Sequence, residues 1–302
     1  MNKFVKGTIV ASLAMAAACA NAQELMGTKP KYVSSLATSY PNAAAVTPRI
    51  WAPDLDEGWV PQGLVIIGKH AYTTAYQDAF ADAPKCRVFQ VELETGKTTG
   101  MFDVPDPCKH AGGIVDVGGG FVVVIDTSQS WRVDLAKALA AGNSKGATKG
   151  AIKLGTGFGS SFGFFDGKDL WAGTWYGEKD SRDAKIYRVE LGLFDSKPTH
   201  TVTKENAVDV IPIPKQIQGA ALDKDGNLWL AASQGEQDGK LYRIDRKTGA
   251  VLAKYEVPPR IENVSFDANG KLWAISEAGA LKYAKDKKHF PVIFEIDVAK
   301  LK

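Results

Sequence analysis

Histidine occurs only four times in this 302-residue chain and cysteine only three times, and they do not cluster at the short spacings a zinc ion needs. A glycine-rich phosphate loop between a strand and a helix is also missing. Gly118-Gly119-Gly120 lies between two apolar runs and reads as a hairpin turn. Ser128, in Asp126-Thr127-Ser128, has no base and orienting group at a readable spacing, so a nucleophilic serine is not supported. Charge of one sign is lacking too. The 37 Lys and Arg nearly balance the 34 Asp and Glu, a formal +3, which gives no electrostatic case for nucleic acid.

The apolar run Thr8–Ala18 is too short to cross a bilayer as a helix, so no mature membrane span is expected. It follows Lys3 and Lys6 and precedes the small residues Ala20-Asn21-Ala22, the pattern of a secretory leader over residues 1–22 cleaved near Ala22. Cys19 gives the lesser alternative of a lipoprotein site. The expected address is the periplasm or the cell exterior.

What the chain has in quantity is glycine, 30 residues, and repetition. Gln218–Gly249 reads as a strand from Gly219, a turn at Asp225-Gly226-Asn227, a second strand Leu228–Ala232, a polar loop and a third strand Lys240–Asp245. An Asp-Gly turn between apolar runs is a strong hairpin signal. Such a unit cannot bury its apolar face alone, which marks it as a repeat. Its opening step recurs at Gln62-Gly63-Leu64, Gly112-Gly113-Ile114, Phe162-Gly163-Phe164, Gln218-Gly219-Ala220 and, more weakly, Glu262-Asn263-Val264, with spacings of 50, 50, 56 and 44 residues. Each copy has an alternating third strand ending in an acid: Glu92, Asp134, Glu190, Asp245 and Asp297. Fourth strands are expected at Met101–Val104, Val208–Ile213 and Val251–Val257.

Four short antiparallel strands at this period are the signature of a propeller blade. The expected fold is all-β, a five-bladed β-propeller over residues 44–302 after an N-terminal arm at 23–43, with inner strands starting near residues 63, 113, 163, 219 and 263. Blade 5 shows no fourth strand of its own after Ile293–Asp297, so residues 44–52 are expected to supply it and close the ring. Leu135–Ala141 reads as a short helix, Gly142–Gly150 as a loop and Leu191–Asn206 as an outer connection. Long loops are expected after Tyr76 in blade 1, after Trp175 in blade 3 and over Glu277–His289 in blade 5, all on one face, where recognition concentrates on repeat scaffolds.

Cys86 and Cys108 fall in two loops that emerge on that same face, so they are expected to pair in an oxidising compartment, a bridge worth about 3 kcal/mol. Two sets of residues should converge there on the axis. Gln62, His110, Ser160 or Ser161, Gln218, Arg260 and Glu262 open the inner strands; Tyr76, Asp126, Trp175, Gln234 and Glu277 close the second strands, with Tyr176 just beyond. Together they form a polar, aromatic-rimmed cup for a small molecule, glycan or peptide held by a monomer. His110, with its near-neutral titration, and Glu262 are the candidate acid and base. Arg260 suits a carboxylate or phosphate. No cofactor is required. Calcium is the one candidate ion, with oxygens from Asp126, Gln218, Glu262 and Asn263.

The pattern DxxGNLWLA…G…L.RID..TG in Asp223–Gly249 resembles the repeats of the NHL, SMP-30/gluconolactonase and streptogramin lyase-like propeller superfamily over about residues 62–297. That resemblance implies the propeller fold, with lactonases, a lyase and binding modules among its members. The lactonase branch holds an axial calcium with acid and amide side chains, which Gln218, Glu262 and Asn263 match in part. The lyase branch uses a histidine on the top face, the part His110 would take. Blade 1, from Pro61-Gln62-Gly63-Leu64 through Arg87–Lys97, is also similar to the first blade of plant-type glutaminyl cyclases. Thr73-Thr74-Ala75 stands where that family has an acid.

Overall fold

The repeats become five small sheets arranged around one axis in a computed structural model that describes residues 25–77, 86–155, 158–197 and 199–302. β1 is Val46–Trp51. Blade 1 holds β2 (Val60–Ile67), β3 (His70–Tyr76), β4 (Cys86–Glu92) and β5 (Thr98–Val104). Blade 2 holds β6 (Gly113–Asp116), β7 (Phe121–Ile125), β8 (Gln129–Asp134), the helix α1 (Leu135–Ala141) and β9 (Thr148–Leu154). Blade 3 holds β10 (Phe162–Phe165), β11 (Leu170–Gly173), β12 (Lys185–Val189) and β14 (Asp209–Pro212), and the chain between the last two forms β13 (His200–Val202). Blade 4 is β15 (Ile217–Leu222), β16 (Leu228–Ala232), β17 (Gly239–Ile244) and β18 (Val251–Val257); blade 5 is β19 (Ile261–Phe266), β20 (Leu272–Ser276) and β21 (Val292–Ile296).

β1 completes blade 5. It pairs antiparallel with β21, Val46 opposite Ile296 and Trp51 opposite Val292, so the N-terminal strand closes the ring and covers the β21 edge. The preceding residues follow it. Met26 brackets Ile50 through bonds to the backbone of Arg49 and Trp51, and Val33 is buried with Val46 and Trp51. The expected leader, Cys19 within it and most of the blade 1 loop after Tyr76 lie outside the described residues.

Two details differ from the expected elements. β9 begins at Thr148, inside the stretch read as a loop. Its burial pattern explains the miss, since Ile152 is its one buried residue and no alternation shows. The connection expected outside blade 3 contains β13, which pairs in parallel with β9, His200 opposite Ile152 and Val202 opposite Leu154. Blade 2 therefore has five strands, the outermost lent by the chain of blade 3. Three residues carry no periodicity of their own; the neighbour's open edge makes them a strand.

The turn chemistry repeats with the blades. Asp223 Oδ1 accepts the N–H of Asp225 and of Asn227 at 2.9 and 2.8 Å, and its Oδ2 accepts the Trp229 indole N–H at 2.9 Å. Asp166 holds Trp171 and Asp267 holds Trp273 in the same way, at 2.8 and 3.2 Å. One carboxylate thus closes the turn and fixes the large ring that packs between blades. Burial raises the pKa of Asp166 and of Asp223, but the hydrogen bonds outweigh it and hold both below the usual range.

Glycine at the inner strand answers to close approach. A Cβ on Gly63 would stand 2.7 Å from the backbone N of Ile114, and one on Gly219 2.5 Å from Cα of Asn263. The neighbouring blade's backbone already occupies that space. The five inner strands so packed leave an axial cavity of about 230 Å³ lined by the same positions of every blade, Leu64–Ile66 to Val264–Phe266.

Candidate functional site

Just above that cavity, three inner strands slip register. In β15, Ile217 faces Ala232 and Gly219 faces Ala231, so Gln218 is an extra residue. In β19, Ile261 faces Ser276 and Asn263 faces Ile275, so Glu262 is extra. In β2 the slip falls between Pro61 and Leu64, around Gln62. A bulge of this kind re-aims one side chain and is common beside functional sites. Gln62, Gln218 and Glu262 are three of the expected cup residues, and the bulges are what turn them from the sheet.

The three side chains enter two hydrogen-bonded groups around a pair of buried carboxyls. Gln62 Nε2 donates to Glu277 Oε2 at 2.9 Å, and Gln218 Nε2 donates to Glu262 Oε1 at 3.1 Å. Ser233 Oγ donates to the same Glu262 oxygen at 3.3 Å. Arg260 bridges Glu277 at 3.1 Å and Asp286 at 2.6 Å, with its guanidinium 3.8 Å above the Tyr283 ring. Glu262 and Glu277 are 3% and 6% exposed, which decides their chemistry. Burial, then the charge of Glu277, pushes the Glu262 carboxyl well above the ordinary glutamate range. Burial pushes Glu277 up to about 7, against the opposing charge and hydrogen bond of Arg260. Burial thus favours the protonated form of both carboxyls, and Arg260 opposes it most directly at Glu277.

A second group lies at blades 1 and 2. The His110 ring sits 4.7 Å from the Tyr76 ring, centre to centre. Lys282 donates to the Tyr76 hydroxyl at 3.0 Å and lies 4.8 Å from that ring, and Tyr283 contacts the same hydroxyl. Asp126 is buried, and its Oδ1 accepts the backbone N–H groups of Lys109, His110 and Ala111. It shapes the strap that carries His110. Cys86 and Cys108 are disulfide-bonded, with Cα atoms 6.0 Å apart, and anchor the same strap. Among the described residues no hydrogen bond joins His110 to Glu262; the two expected catalytic groups belong to different parts of the network.

The third group lies between blades 3 and 4. Trp175 donates its indole N–H to the carbonyl of Ser233 at 3.2 Å and its backbone N–H to Ser161 Oγ at 3.2 Å. Gln234 accepts from the side-chain amide of Gln216. Tyr176 is buried beneath Arg182, whose guanidinium lies 4.3 Å from its ring. Ser160 is fully buried, and its hydroxyl has no hydrogen-bond partner among the described residues.

Several members were not expected. Ser233 stands in blade 4 where Glu277 stands in blade 5, the first residue after the second strand, and that equivalence is the signal that could have found it. Gln216 and Arg260 both have a left-handed backbone, φ 67° and 50°, and their carbonyls accept the N–H of Ser233 and Glu277. Lys282, Tyr283 and Asp286 reach the axis because the blade 5 insertion folds back, which spacing does not reveal.

The calcium set does not fit. Gln218 presents its amide N–H, not its oxygen, to Glu262. The Asn263 oxygen accepts the N–H of Val264, and Asp126 Oδ1 is taken by three backbone donors. Among the described residues, the one group of three candidate metal ligands is Cys86, Cys108 and Asp126, and the disulfide consumes both sulfurs.

Comparison with solved structures finds β-propellers. Glutaminyl cyclase from Myxococcus xanthus matches with a TM-score of 0.53 at 12% identity, covering 83% of this chain and 93% of that one. A luciferin-regenerating enzyme matches with a TM-score of 0.44 at 13% identity, covering 84% and 97%. The PQQ-bound aldose sugar dehydrogenase of Streptomyces coelicolor matches at 0.45 and 15% identity, covering 80% of each chain. At these identities the likeness is one of fold. Neither a family model nor a curated protein sequence matches the chain.

Proposed function

We propose that the protein binds a small molecule or a chain end bearing an amine or amide in the cup at the loop-bearing end of the axis, and that Glu262 exchanges a proton with it. The observation that carries this reading is the pair of buried carboxyls on blade 5, each held by its own hydrogen-bond partners and both raised by burial. Titratable groups pushed from their ordinary range by their surroundings are a mark of proton handling. Gln218 and Ser233 orient the Glu262 carboxyl; Gln62 and Arg260 hold the Glu277 carboxyl beside it, whose oxygens can accept from an ammonium or amide N–H. His110 and Tyr76 form the aromatic rim. The disulfide supports work in an oxidising compartment, periplasmic or extracellular, and among the described residues no helix is long and apolar enough to cross a membrane.

The same pair favours a catalytic second reading, ring closure of a glutaminyl chain end. The α-amine attacks the side-chain carboxamide carbon and the ring C–N bond forms; the carboxamide C–N bond breaks, ammonia leaves with a proton delivered by Glu262, and Glu262 regains a proton from the attacking nitrogen. Both readings are tested with glutaminyl-alanine and a panel of simple amines, amides and short peptides. Thermal shift reads binding and ammonia release reads turnover, in the wild type and in Glu262→Gln. Stabilisation that fades in Glu262→Gln supports the binding site, and ammonia lost with it supports the enzyme. A panel that leaves the melting temperature unmoved sinks both.

A further inference from the structure

We propose a second ligand site, a pocket for a neutral saccharide, in the cavity of about 690 Å³ between blades 3 and 4. Its size lies within the roughly 300–1,000 Å³ usual for ligand pockets. It is distinct from the carboxyl pair, and Ser233 is the one residue tied to both, by its carbonyl to Trp175 and by its hydroxyl to Glu262.

Three features define what fits. The first is an aromatic platform already in position. The Trp175 indole is pinned by its bond to Ser233 across the blade boundary, so it needs no ordering on binding. Gly177 leaves the ring edge open: a Cβ there would sit 3.3 Å from Cη2 of Trp175. The backbone of Gly177 is not in the left-handed region, so glycine is not needed for the turn; what it spares is the space beside the ring. A pyranose has an apolar C–H face that packs on such a ring.

The second feature is the polar lining. Gln216, Gln234 and Gln237 supply side-chain amides, each offering a donor and an acceptor, as vicinal hydroxyls require. Gln216 is buried at φ 67° and bonded to Gln234, so a strained backbone is kept at a residue whose side chain faces the cavity. Strain of this kind is retained where surroundings impose it and clusters at ligand clamps. The third feature is charge. Two carboxylates and two lysines line the cavity, so it favours neither cation nor anion.

The test uses maltotriose, cellotriose and chitotriose as probes with the full chain, read by saturation-transfer NMR and calorimetry, with tetra-alanine as the peptide control. The expected result is binding of at least one trisaccharide, weakened about tenfold or more by Gly177→Val, which covers the ring edge. Should Gly177→Val fail to fold, Gln237→Ala at an exposed position carries the test, with a smaller but measurable loss. Binding by none of the three sugars, affinity unchanged in a folded variant, or tetra-alanine binding in their place would each overturn the proposal. Because the readout is sugar binding alone, failure of the amine site at Glu262 leaves this outcome unaffected.

Discussion

Blades 4, 5 and 1 interrupt the register of their inner strands; blades 2 and 3 do not. β15, β19 and β2 carry bulges at Gln218, Glu262 and near Gln62, while β6 and β10 pair residue for residue with β7 and β11. The interrupted half holds the carboxyl pair and its arginine. The regular half is bound more tightly to itself, since β13 leaves blade 3 to extend the sheet of blade 2. The same repeat therefore serves two ends. Where pairing is continuous, side chains alternate into the sheets and the blade is a wall. Where one residue is inserted, a polar side chain turns to the axis and the blade becomes part of a site.

The largest way to break this contrast is to open the interrupted half. Removing the residues through Trp51 deletes β1 and bares β21. The expected outcome is loss of a cooperative urea transition, and a transition as sharp as that of the full chain would show that closure does not hold the ring. Next comes charge burial. Arg260→Ala leaves the buried Glu277 and the half-buried Asp286 without their cation, a loss of about 3 kcal/mol by chemical denaturation. In the regular half, Arg188 lies 3.9 Å from Asp169 and is 32% exposed, so Arg188→Ala should lose no more than about 1 kcal/mol. Equal losses would erase the distinction.

Proton linkage gives a finer test. Glu262 and Glu277 are raised in the folded protein, so the native state keeps protons that the unfolded chain releases. Their contribution to stability is fully present at low pH. It declines as pH rises from the ordinary glutamate value, about 4.3, through about 7 for Glu277 and through the raised range of Glu262. Glu262→Gln should flatten that decline in denaturation curves taken across the window; an unchanged slope would remove Glu262 from the pair. The turn carboxylates Asp166 and Asp223 have the opposite sign. Their folded values are lowered, so their contribution is present above the ordinary range and is lost as pH falls. The smallest effect is expected at Ser160, whose buried hydroxyl lacks a hydrogen-bond partner among the described residues. Ser160→Ala should leave stability unchanged or raise it by up to about 1 kcal/mol, measured by the same melts.

The blade repeat was legible because it rests on local chemistry. Asp-Gly turns, apolar second strands and acid-ended third strands each announce themselves within a few residues. Cys86 and Cys108 were legible for a related reason: once the repeat is known, loop class assigns both to one face. β13 was not, because a three-residue strand owes its existence to another blade's edge. The calcium set read from Asp126, Gln218, Glu262 and Asn263 had the right atoms in the wrong engagements, since which atom of an amide faces a carboxylate is a tertiary fact. The pairing of Glu262 with Glu277 was missed likewise, though both residues were named for the cup.

By itself the sequence determined five repeats, an all-β ring closed by an N-terminal strand, and the end of the axis at which polar residues collect. Those follow from turn residues, alternation and spacing, which act over short stretches of chain. Only the tertiary structure decided which of those residues leave the sheet, which carboxyls are buried together and where a cavity opens between blades. These depend on register slips and burial, produced when distant strands meet.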